Sequence, residues 1–549
     1  MTTTAEAIAE FLSGLGVRRI YGVPGGESTL EIIEASRQQE IEFLLTHHES
    51  SAALMAATEG DLLDRPGICL AGLGLGVARA APGVTQAFLN RAPLLLLTGS
   101  PSRRVQRLAP HDTLEHAKLI EAVLKNTATV TAARAERLLR WGWAKAMAVP
   151  LGPVHLEIPA NEARNPTRRS GRQPEGNRPS EPSPSAIRTA ARLLTTRRRV
   201  VVLVGLGCRG AKSTRALQEL AEHLGSPVLT TSRAKGVVPE EHPLAAGVFV
   251  GGRLERELLS KADGILAVGL DSAEVGWRPW RSSLPVVVMS EYPTTPRPYT
   301  ASAEIVADLP TALSALREAL PPGGGWDLAA WAGQGGDFKT RARAVLAEAS
   351  LARGQKWLAP HRVVEIARTV FPRQTILAVG SGAHALVAEQ FWDCYEAKTY
   401  LCPVGSAASG YALPTAIAAK LTFPARPVLA VLGDGGFLKS LVDLATAARQ
   451  KIPVTAVVYN DGSLSLTRTE QERRRYAPQG VSLGTLEIPK LAEGLGALST
   501  EVEDEASLLS ALTDAKDASM PAVISVRIRP AGYRRLLDIL QGKGPGIQV

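Results

Sequence analysis

Two glycine-rich polar turns in the last third of the chain could together hold a divalent cation. The apolar run Val428–Leu432 leads into Gly433-Asp434-Gly435-Gly436, and the apolar run Val454–Tyr459 leads into Asn460-Asp461-Gly462. A segment with apolar residues on one helical face joins them, which predicts a strand–helix–strand unit with a right-handed crossover. The two strands would then be parallel, and the acid and the asparagine would lie at one carboxyl edge, where open parallel sheets bind ligands.

The donor atoms at this edge suit magnesium bound to phosphate. The Asp434 carboxylate, the Asn460 side-chain carbonyl and the backbone carbonyl of Gly462 are hard oxygen donors of the kind that Mg²⁺ prefers. Gly435 and Gly436 would let the backbone approach a phosphate closely, and the following helix start would offer free N–H groups. Each tripeptide alone is more typical of a turn. Their separation by 24 residues, 436 to 459, favours a joint site.

The same spacing resembles the signature of the thiamine diphosphate (ThDP) enzymes, which is Gly-Asp-Gly, some two dozen residues and then Asn. The resemblance extends over most of the chain, and the nearest branch looks like that of acetolactate synthase and benzoylformate decarboxylase. It implies a pyrimidine-binding domain first, a central domain, and a diphosphate-binding domain last. The matching segments are Tyr21–Gly26, His48-Glu49, Gly152–Pro159, Gly236–Pro243 and Gly410–Pro414.

Glu49 could activate such a cofactor. It follows the predicted strand Ile41–Leu45 and lies where the predicted helix Ser50–Leu62 begins, so the helix dipole would stabilise its charge. Taken alone, this position is more typical of a helix-capping acid. The resemblance implies that Glu49 pairs with the aminopyrimidine ring, whose amine then becomes the base that deprotonates the thiazolium carbon. The resulting ylid adds to a 2-oxo acid, and the cofactor is the electron sink when CO₂ leaves.

The resemblance also implies further site residues and an oligomer. Besides Glu49, we expect His48 and His111 to take part in catalysis, with His47 as the alternative to His111. Because the equivalents of Glu49 and Asp434 face each other across two subunits in this family, we expect a homodimer or homotetramer with active sites between subunits. The expected cofactor-binding residues are Gly25, Glu49, Ala383, His384, Gly405, Ser409, Gly433, Asp434, Gly435, Gly436, Asn460 and Gly462.

Four departures from the acetolactate synthase pattern leave the reaction open. Ser409 stands where the family usually has a bulky aliphatic residue that bends the cofactor into a V shape. The loop Leu73–Arg79 differs from the family's Ser-Gly-Pro-Gly-Ala-Thr-Asn and borders the catalytic pocket, so the substrate need not be pyruvate. The loop Pro110–Glu115 lacks the usual glutamine. The middle domain lacks the Arg- and Asp-rich segment associated with FAD, so we do not expect FAD.

Three functions are consistent with these residues. We expect a ThDP- and Mg²⁺-dependent carbon–carbon lyase or carboligase, acetolactate synthase-like, that decarboxylates a 2-oxo acid and adds the product to a second carbonyl. A simple 2-oxo acid decarboxylase of the benzoylformate or pyruvate type is the alternative, because the two reactions differ in whether a carbonyl or a proton quenches the enamine. A repurposed homologue with weakened catalysis is favoured only by Ser409 and the changed 73–79 loop.

The length of 549 residues and two linker signals divide the chain into three α/β domains. Each domain alternates short, continuous apolar runs with amphipathic helices, which predicts a mainly parallel sheet flanked by helices. The first and third domains begin with the same succession of helix, strand, glycine turn and helix. We expect a pyrimidine-binding domain over 1–164, a central domain over 185–320 and a diphosphate- and Mg-binding domain over 360–530, with linkers over 165–184 and 321–359.

Composition argues against several other classes. The net charge of +9 is concentrated in 164–200, a Pro-rich stretch without aromatic residues that is typical of a linker rather than of a nucleic-acid site. No apolar run approaches the length of a membrane span, no secretory signal is evident, and four scattered cysteines fit a reducing cytoplasm. The motif Gly205–Gly210 has dinucleotide-binding spacing, but no acid ends the next predicted strand, Pro227–Leu229.

Overall fold

The protein is described by a computed structural model that covers residues 2 to 540 except 27, 103–104, 106–114, 168–173, 175–179, 250–254, 276–283, 327–337, 351–356, 407 and 530. These residues form three six-stranded sheets in which every strand pairing is parallel. Helices flank each sheet, so the predicted three-sheet α/β fold is confirmed. The chain forms two compact units, the first made of 1–178, 413–424 and 440–452, and the second made of the remainder.

The first sheet lies in the first compact unit. Its strands are β1 (Arg19–Gly22), β2 (Glu42–Leu45), β3 (Gly67–Ala71), β4 (Leu94–Ser100), β5 (Asn126–Thr129) and β6 (Pro153–Pro159), in the order β2-β1-β3-β4-β6-β5. Strands β3 and β4 are buried throughout, as expected for central parallel strands covered on both faces. The helices around them are Thr4–Gly14, Ser28–Gln38, Glu49–Leu63, Leu75–Leu89, His116–Ile120, Ala135–Met147 and Ala160–Arg164.

The second sheet has the strand order of a doubly wound nucleotide-binding fold. Its strands are β7 (Val200–Val204), β8 (Val228–Thr230), β9 (Ala245–Val248), β10 (Gly264–Val268), β11 (Val286–Ser290) and β12 (Ala303–Val306). They lie in the order β12-β11-β10-β7-β8-β9, so the chain reverses direction across the sheet between β7 and β10. The helices are Pro184–Thr195, Ala211–Leu224, Arg256–Lys261 and Leu309–Ala319.

The third sheet repeats the connectivity of the first. Its strands are β13 (Ile376–Val379), β14 (Tyr400–Leu401), β15 (Val428–Gly433), β16 (Thr455–Asn460), β17 (Leu498–Val502) and β18 (Ala522–Arg527). Their order, β14-β13-β15-β16-β18-β17, matches that of the first sheet strand for strand, so the similarity seen at the domain starts extends through both sheets. The helices are Phe338–Ser350, Pro360–Val370, Ala383–Phe391, Ala412–Thr422, Asp434–Ser440, Asp443–Arg449, Ser465–Arg473, Ile488–Gly494, Glu505–Lys516 and Ala531–Leu540.

Three element boundaries differ from the sequence-based expectations. The single helix expected after the glycine motif is two helices, Asp434–Ser440 and Asp443–Arg449, and the second belongs to the first compact unit. The helix expected from Ser50 begins at Glu49, because His48 supplies the side-chain cap. The segment expected to be a linker over 321–359 contains the helix Phe338–Ser350, whose Leu346 is buried in the core of the third sheet. Within the described part of the chain, no helix combines the length and the hydrophobicity that crossing a bilayer requires.

Candidate active site

Asp434 and Asn460 meet at the carboxyl edge of the third sheet. Strands β15 and β16 pair directly, with Gly433 opposite Tyr459, so the next residue of each strand lies at the same level. Asn460 ends β16, and Asp434 begins the helix that follows β15. Both residues are buried, because only 2% of the surface of Asp434 and 1% of that of Asn460 is exposed. The juxtaposition predicted from the strand–helix–strand pattern is therefore present.

The Asp434 carboxylate connects the two turns. Its Oδ1 accepts a hydrogen bond from the Gly435 N–H (2.7 Å), and its Oδ2 accepts one from the Gly462 N–H (2.7 Å). Burial raises the pKa of the Asp434 carboxyl, and these N–H donors oppose that rise. Burial also raises the pKa of neighbouring Asp461 to about 7, although Ser465 donates a hydrogen bond to it. Gly462, where φ is +67°, lets the chain turn back toward the acid.

The donor set at this edge fits a hard cation. Among the described residues, the Asn460 Oδ1 atom is buried without a hydrogen-bond partner. A buried acceptor of this kind costs about 1–3 kcal/mol of stability unless a ligand binds to it. The Gly462 carbonyl accepts a hydrogen bond from the Leu483 N–H (2.8 Å), which leaves it one free lone pair. Over all residues that the structure describes, there is no group of three or more His, Cys, Asp or Glu side chains that could hold a metal ion. A cation here would therefore depend on one carboxylate, one amide oxygen and backbone oxygen, the ligands that Mg²⁺ accepts.

The glycines of the motif are closely surrounded. A Cβ atom at Gly435 would lie 2.6 Å from Cδ2 of Leu464, and one at Gly433 would lie 3.2 Å from Nδ1 of His384. The corresponding position at Gly436 is 3.8 Å from Oγ of Ser409. The structure thus brings His384 and Ser409, both expected from the resemblance, next to the Gly-Asp-Gly-Gly turn.

His384 is a neutral, buried side chain. Burial lowers its pKa to about 4, and its Nε2 atom has no hydrogen-bond partner among the described residues. Ala383 begins the helix Ala383–Phe391, and Gly382 before it has φ of +153° and would place a Cβ 2.7 Å from the His384 ring. Gly405, expected near the pyrimidine, lies in the same compact unit with φ of +68°.

Glu49 lies in the first compact unit, at the beginning of the helix Glu49–Leu63. Its residue surface is 6% exposed, so the carboxylate is held in a nearly dry place. A Cβ at Gly76 would lie 3.5 Å from Oε1 of Glu49, which places the first turn of the helix Leu75–Leu89 against this acid. Burial, followed by the charge of Glu49, raises the pKa of the Cys69 thiol on β3. The segment 73–79, which the sequence analysis expected to be a loop bordering the catalytic pocket, is therefore helical from Leu75 onward.

The other residues expected in the first domain have different surroundings. His48 is exposed, and its Nδ1 accepts the Ser50 N–H (3.1 Å), so it caps the helix that begins with Glu49. His47 is exposed, with its Nε2 3.4 Å from Arg449. A Cβ at Gly25 would lie 2.9 Å from Cα of Gly72, so two backbones touch there. His111 lies outside the described residues.

Two sets of contacts near Glu49 were not anticipated. His116, which is 2% exposed, accepts the Gly74 N–H on Nε2 (2.9 Å) and so holds the residue that precedes the helix Leu75–Leu89, whose first turn contacts Glu49. The helix Asp443–Arg449 contacts the segment around Glu49 through Ser51 and Leu45. For the second set, the sequence offered only one signal, which is the acid Asp443 in an otherwise apolar segment. That signal does not identify Ser51, which lies far away in the chain, as its partner.

The glycine-rich turn of the central domain is filled by the protein itself. The Leu206 N–H donates to Oε2 of Glu274 (2.8 Å), and the Thr231 hydroxyl donates to Oε1 (2.6 Å). A Cβ at Gly205 would lie 2.5 Å from the Gly269 carbonyl oxygen. Burial raises the pKa of Glu274 to about 7. The turn after β7 therefore binds an internal carboxylate where a dinucleotide motif would bind a phosphate.

Comparison with curated proteins finds relatives along almost the whole chain. An acetolactate synthase of Bacillus subtilis is 25% identical over 98% of this chain and 95% of its own length. A putative thiamine pyrophosphate-containing protein of the same species is 27% identical over 96% of this chain and 92% of its own. A probable 2-ketoarginine decarboxylase of Pseudomonas aeruginosa is 26% identical over 91% of this chain and 90% of its own.

Solved structures share the fold. Benzoylformate decarboxylase from Polynucleobacter necessarius superposes with a TM-score of 0.84 at 20% identity, covering 96% of this chain and 99% of that one. A thiamine diphosphate-dependent 4-hydroxybenzoylformate decarboxylase of Rhodococcus jostii gives a TM-score of 0.83 at 20% identity, with the same coverage.

Three family models match consecutive parts of the chain. They are the N-terminal TPP binding domain of thiamine pyrophosphate enzymes over 2–122, the central domain over 187–316, and the C-terminal TPP binding domain over 380–526. Each match contains strands of one of the three sheets, and the C-terminal match contains both Asp434 and Asn460. The chain therefore belongs to the thiamine pyrophosphate enzyme family, and its two TPP binding domains support thiamine diphosphate as its cofactor.

Proposed function

We propose that this enzyme is a ThDP- and Mg²⁺-dependent lyase or carboligase that decarboxylates a 2-oxo acid and adds the product to a second carbonyl, in the manner of acetolactate synthase. The observation that supports this most is the pair of buried oxygen donors, Asp434 and Asn460, at adjacent strand ends beside a glycine turn. Acetolactate synthases among the relatives support the carboligation step.

At the diphosphate end, the chain's own residues bind and orient. Asp434, the Asn460 Oδ1 and the Gly462 carbonyl would hold Mg²⁺, which would neutralise the charge of the diphosphate. Gly433, Gly435 and Gly436 would allow the backbone close to the phosphate oxygens. The helix that begins at Ala383 would offer N–H groups, and neutral His384 would offer a hydrogen bond from its ring.

At the pyrimidine end, Glu49 would hold a proton. Its buried carboxylate would form a charge-assisted hydrogen bond with the protonated ring nitrogen of the aminopyrimidine, which shifts the tautomer toward the imino base. When bound, ThDP supplies the nucleophilic carbon that attacks the 2-oxo group and the electron sink for the loss of CO₂. Gly25, Gly405 and Ser409 would shape the surrounding pocket. His48 and His111 are our candidates for proton transfer with the substrate.

The domain limits and the assembly are part of this proposal. We place the pyrimidine-binding domain in 1–164, the central domain in 185–320 and the diphosphate-binding domain in 360–530. The resemblance to the ThDP enzymes implies that Glu49 and Asp434 of two different subunits face each other. We therefore propose a homodimer or homotetramer with sites between subunits. Four buried free cysteines agree with a reducing, cytoplasmic compartment.

A simple decarboxylase of the benzoylformate or pyruvate type is the second candidate. The segment 73–79, which departs from the acetolactate synthase pattern and whose Gly76 lies against Glu49, supports it, because this segment would border the substrate. The two structural neighbours described above are both decarboxylases, which agrees with this candidate. A repurposed homologue with weakened catalysis would instead be supported by the small Ser409 side chain.

A substrate screen distinguishes these candidates. Purified enzyme with ThDP and Mg²⁺ is given a panel of 2-oxo acids with aliphatic, aromatic and guanidinium side chains, and CO₂ release is followed. With pyruvate, acetoin formed after acid treatment reports acetolactate. We expect CO₂ from at least one acid together with a carboligation product. Aldehyde alone would favour the simple decarboxylase, and no CO₂ from any acid would favour the repurposed homologue.

A further inference from the structure

The orientation of the Asn460 amide is set by residues on the two strands beyond it. Strands β16, β18 and β17 are neighbours, and their register places Asn460 opposite Arg527, and Ser525 opposite Glu501. Because side chains alternate along a strand, these four residues project from the same face of the sheet. A polar row therefore runs from the candidate cation site to the edge strand.

Hydrogen bonds connect this row. The Asn460 Nδ2 atom donates to Oγ of Ser525 (3.2 Å) and to Oε2 of Glu501 (3.3 Å). The Ser525 hydroxyl donates to the same Oε2 atom (3.0 Å). The other carboxylate oxygen of Glu501, Oε1, lies 3.3 Å from Nε of Arg527, within ion-pair distance.

Only one orientation of the Asn460 amide fits these partners. An ionised carboxylate accepts hydrogen bonds and donates none. Since the Ser525 hydrogen is given to Glu501, the serine oxygen also faces Asn460 as an acceptor. Turning the amide over would put its oxygen 3.3 Å from a carboxylate oxygen, with no hydrogen between them. The amide nitrogen must therefore face Glu501, and the oxygen must face the other way, where it is buried without a partner among the described residues.

We propose that Glu501, together with Ser525, is a positioning residue that aims the Asn460 carbonyl oxygen at the cation site. This inference rests on the proposed role of Asn460 as a Mg²⁺ ligand. Glu501 is 41 residues beyond Asn460 in the chain and would touch neither the cation nor the cofactor. Residues that orient metal ligands in this way commonly change metal affinity by about 10- to 100-fold when they are replaced.

The test is the Mg²⁺ requirement of ThDP binding, measured by calorimetry over a series of Mg²⁺ concentrations. Glu501→Gln keeps the size of the side chain but can donate as well as accept, so it no longer selects one amide orientation. We expect it to raise the half-saturating Mg²⁺ concentration about 10- to 100-fold. ThDP affinity should recover at saturating Mg²⁺. Ser525→Ala should shift the requirement in the same direction, which gives a second variant if the first folds poorly.

A matched control comes from an exposed acid of the same domain. Glu493→Gln removes one charge away from the row and should keep the wild-type Mg²⁺ requirement. A normally folded Glu501→Gln protein with the wild-type requirement would overturn the inference. If the wild-type enzyme binds ThDP without any Mg²⁺ dependence, the proposed cation site itself is wrong and the inference is overturned with it. The two outcomes can be distinguished. In the first, ThDP binding by the wild-type enzyme still depends on Mg²⁺, and in the second it does not.

Discussion

The Ser51 hydroxyl donates a hydrogen bond of 2.8 Å to the buried carboxylate of Asp443, which lies 392 residues further along the chain. Ser51 is two residues after Glu49 on the same helix. Thr446 and Arg449 lie on the same helix as Asp443. Both donate hydrogen bonds to the carbonyl of Leu45, which precedes the helix of Glu49. The segment that carries Glu49 is thus held at both ends by one helix.

Asp443 should make stability fall as pH rises. Burial raises the pKa of Asp443 to about 7, above the value of about 3.9 expected in the unfolded chain. Between these values the folded chain keeps a proton that the unfolded chain has released. Asp443 therefore contributes a loss of stability of up to about 1.4 kcal/mol per pH unit as pH rises through this window. Asp443→Asn cannot ionise and should flatten the dependence, measured as the difference in Tm between pH 5 and pH 8.

The control for Asp443 is an exposed acid. Asp514→Asn removes an aspartate from the surface of the helix Glu505–Lys516 and should leave the pH dependence of Tm unchanged. Equal pH profiles for wild type and Asp443→Asn would show that Asp443 is already ionised in the folded chain. Such a result would contradict this account of its environment.

Ser409→Leu should raise turnover. The Ser409 Oγ atom lies 3.8 Å from the place where a Cβ of Gly436 would be, so the side chain borders the diphosphate turn with little volume. A leucine would supply the apolar bulk that the family uses to bend the cofactor. We expect kcat to rise about tenfold, equivalent to about 1.4 kcal/mol, in the 2-oxo acid assay. Ser409→Ala adds no bulk and is the control. A lower kcat with unchanged ThDP affinity would mean that the substrate occupies this space.

Gly382→Ala should weaken ThDP binding. An alanine at this position would have to adopt φ of +153°. Its methyl group would lie 2.7 Å from the ring of His384, so the imidazole would have to move. We expect about 1–3 kcal/mol of backbone strain and a loss of ThDP affinity of about tenfold or more, measured by calorimetry and by Tm. Gly494→Ala, with open space around it, should leave ThDP affinity unchanged. Wild-type affinity in Gly382→Ala would remove His384 from the diphosphate site.

Glu49→Gln should abolish turnover while ThDP still binds. Glutamine keeps the size of the side chain but cannot carry the charge that stabilises a protonated pyrimidine ring. We expect kcat to fall about 10²- to 10⁴-fold, with a parallel fall in deuterium exchange at the reactive carbon of bound ThDP. Glu34→Gln, an exposed acid of the same domain, serves as the control. Wild-type exchange in Glu49→Gln would contradict the role of Glu49.

Local patterns predicted the sheets and the cation edge, because both depend on neighbouring elements. Strands β15 and β16 are joined by a single crossover, and such crossovers are right-handed. The proximity of Asp434 and Asn460 could therefore be predicted from their spacing in the sequence. Glu501 could not be found in this way, since no local signal identifies β17 and β18 as the strands beyond β16. Likewise, Ser51 and Asp443 meet only through tertiary packing. The capping role of His48 was missed because the helix begins one residue earlier than its apolar pattern indicates.

The most direct test of the cation edge is calorimetric titration of ThDP into wild type and Asp434→Ala, with Mg²⁺ and with a chelator. Asp434 supplies the charged oxygens of the site and connects its two turns. We expect the wild type to bind ThDP at least about tenfold more tightly with Mg²⁺, a gain of about 1.4 kcal/mol that Asp434→Ala should lose. Asp514→Asn should behave as wild type. Mg²⁺-dependent binding of equal strength in Asp434→Ala, or no binding of ThDP by the wild type, would contradict the account.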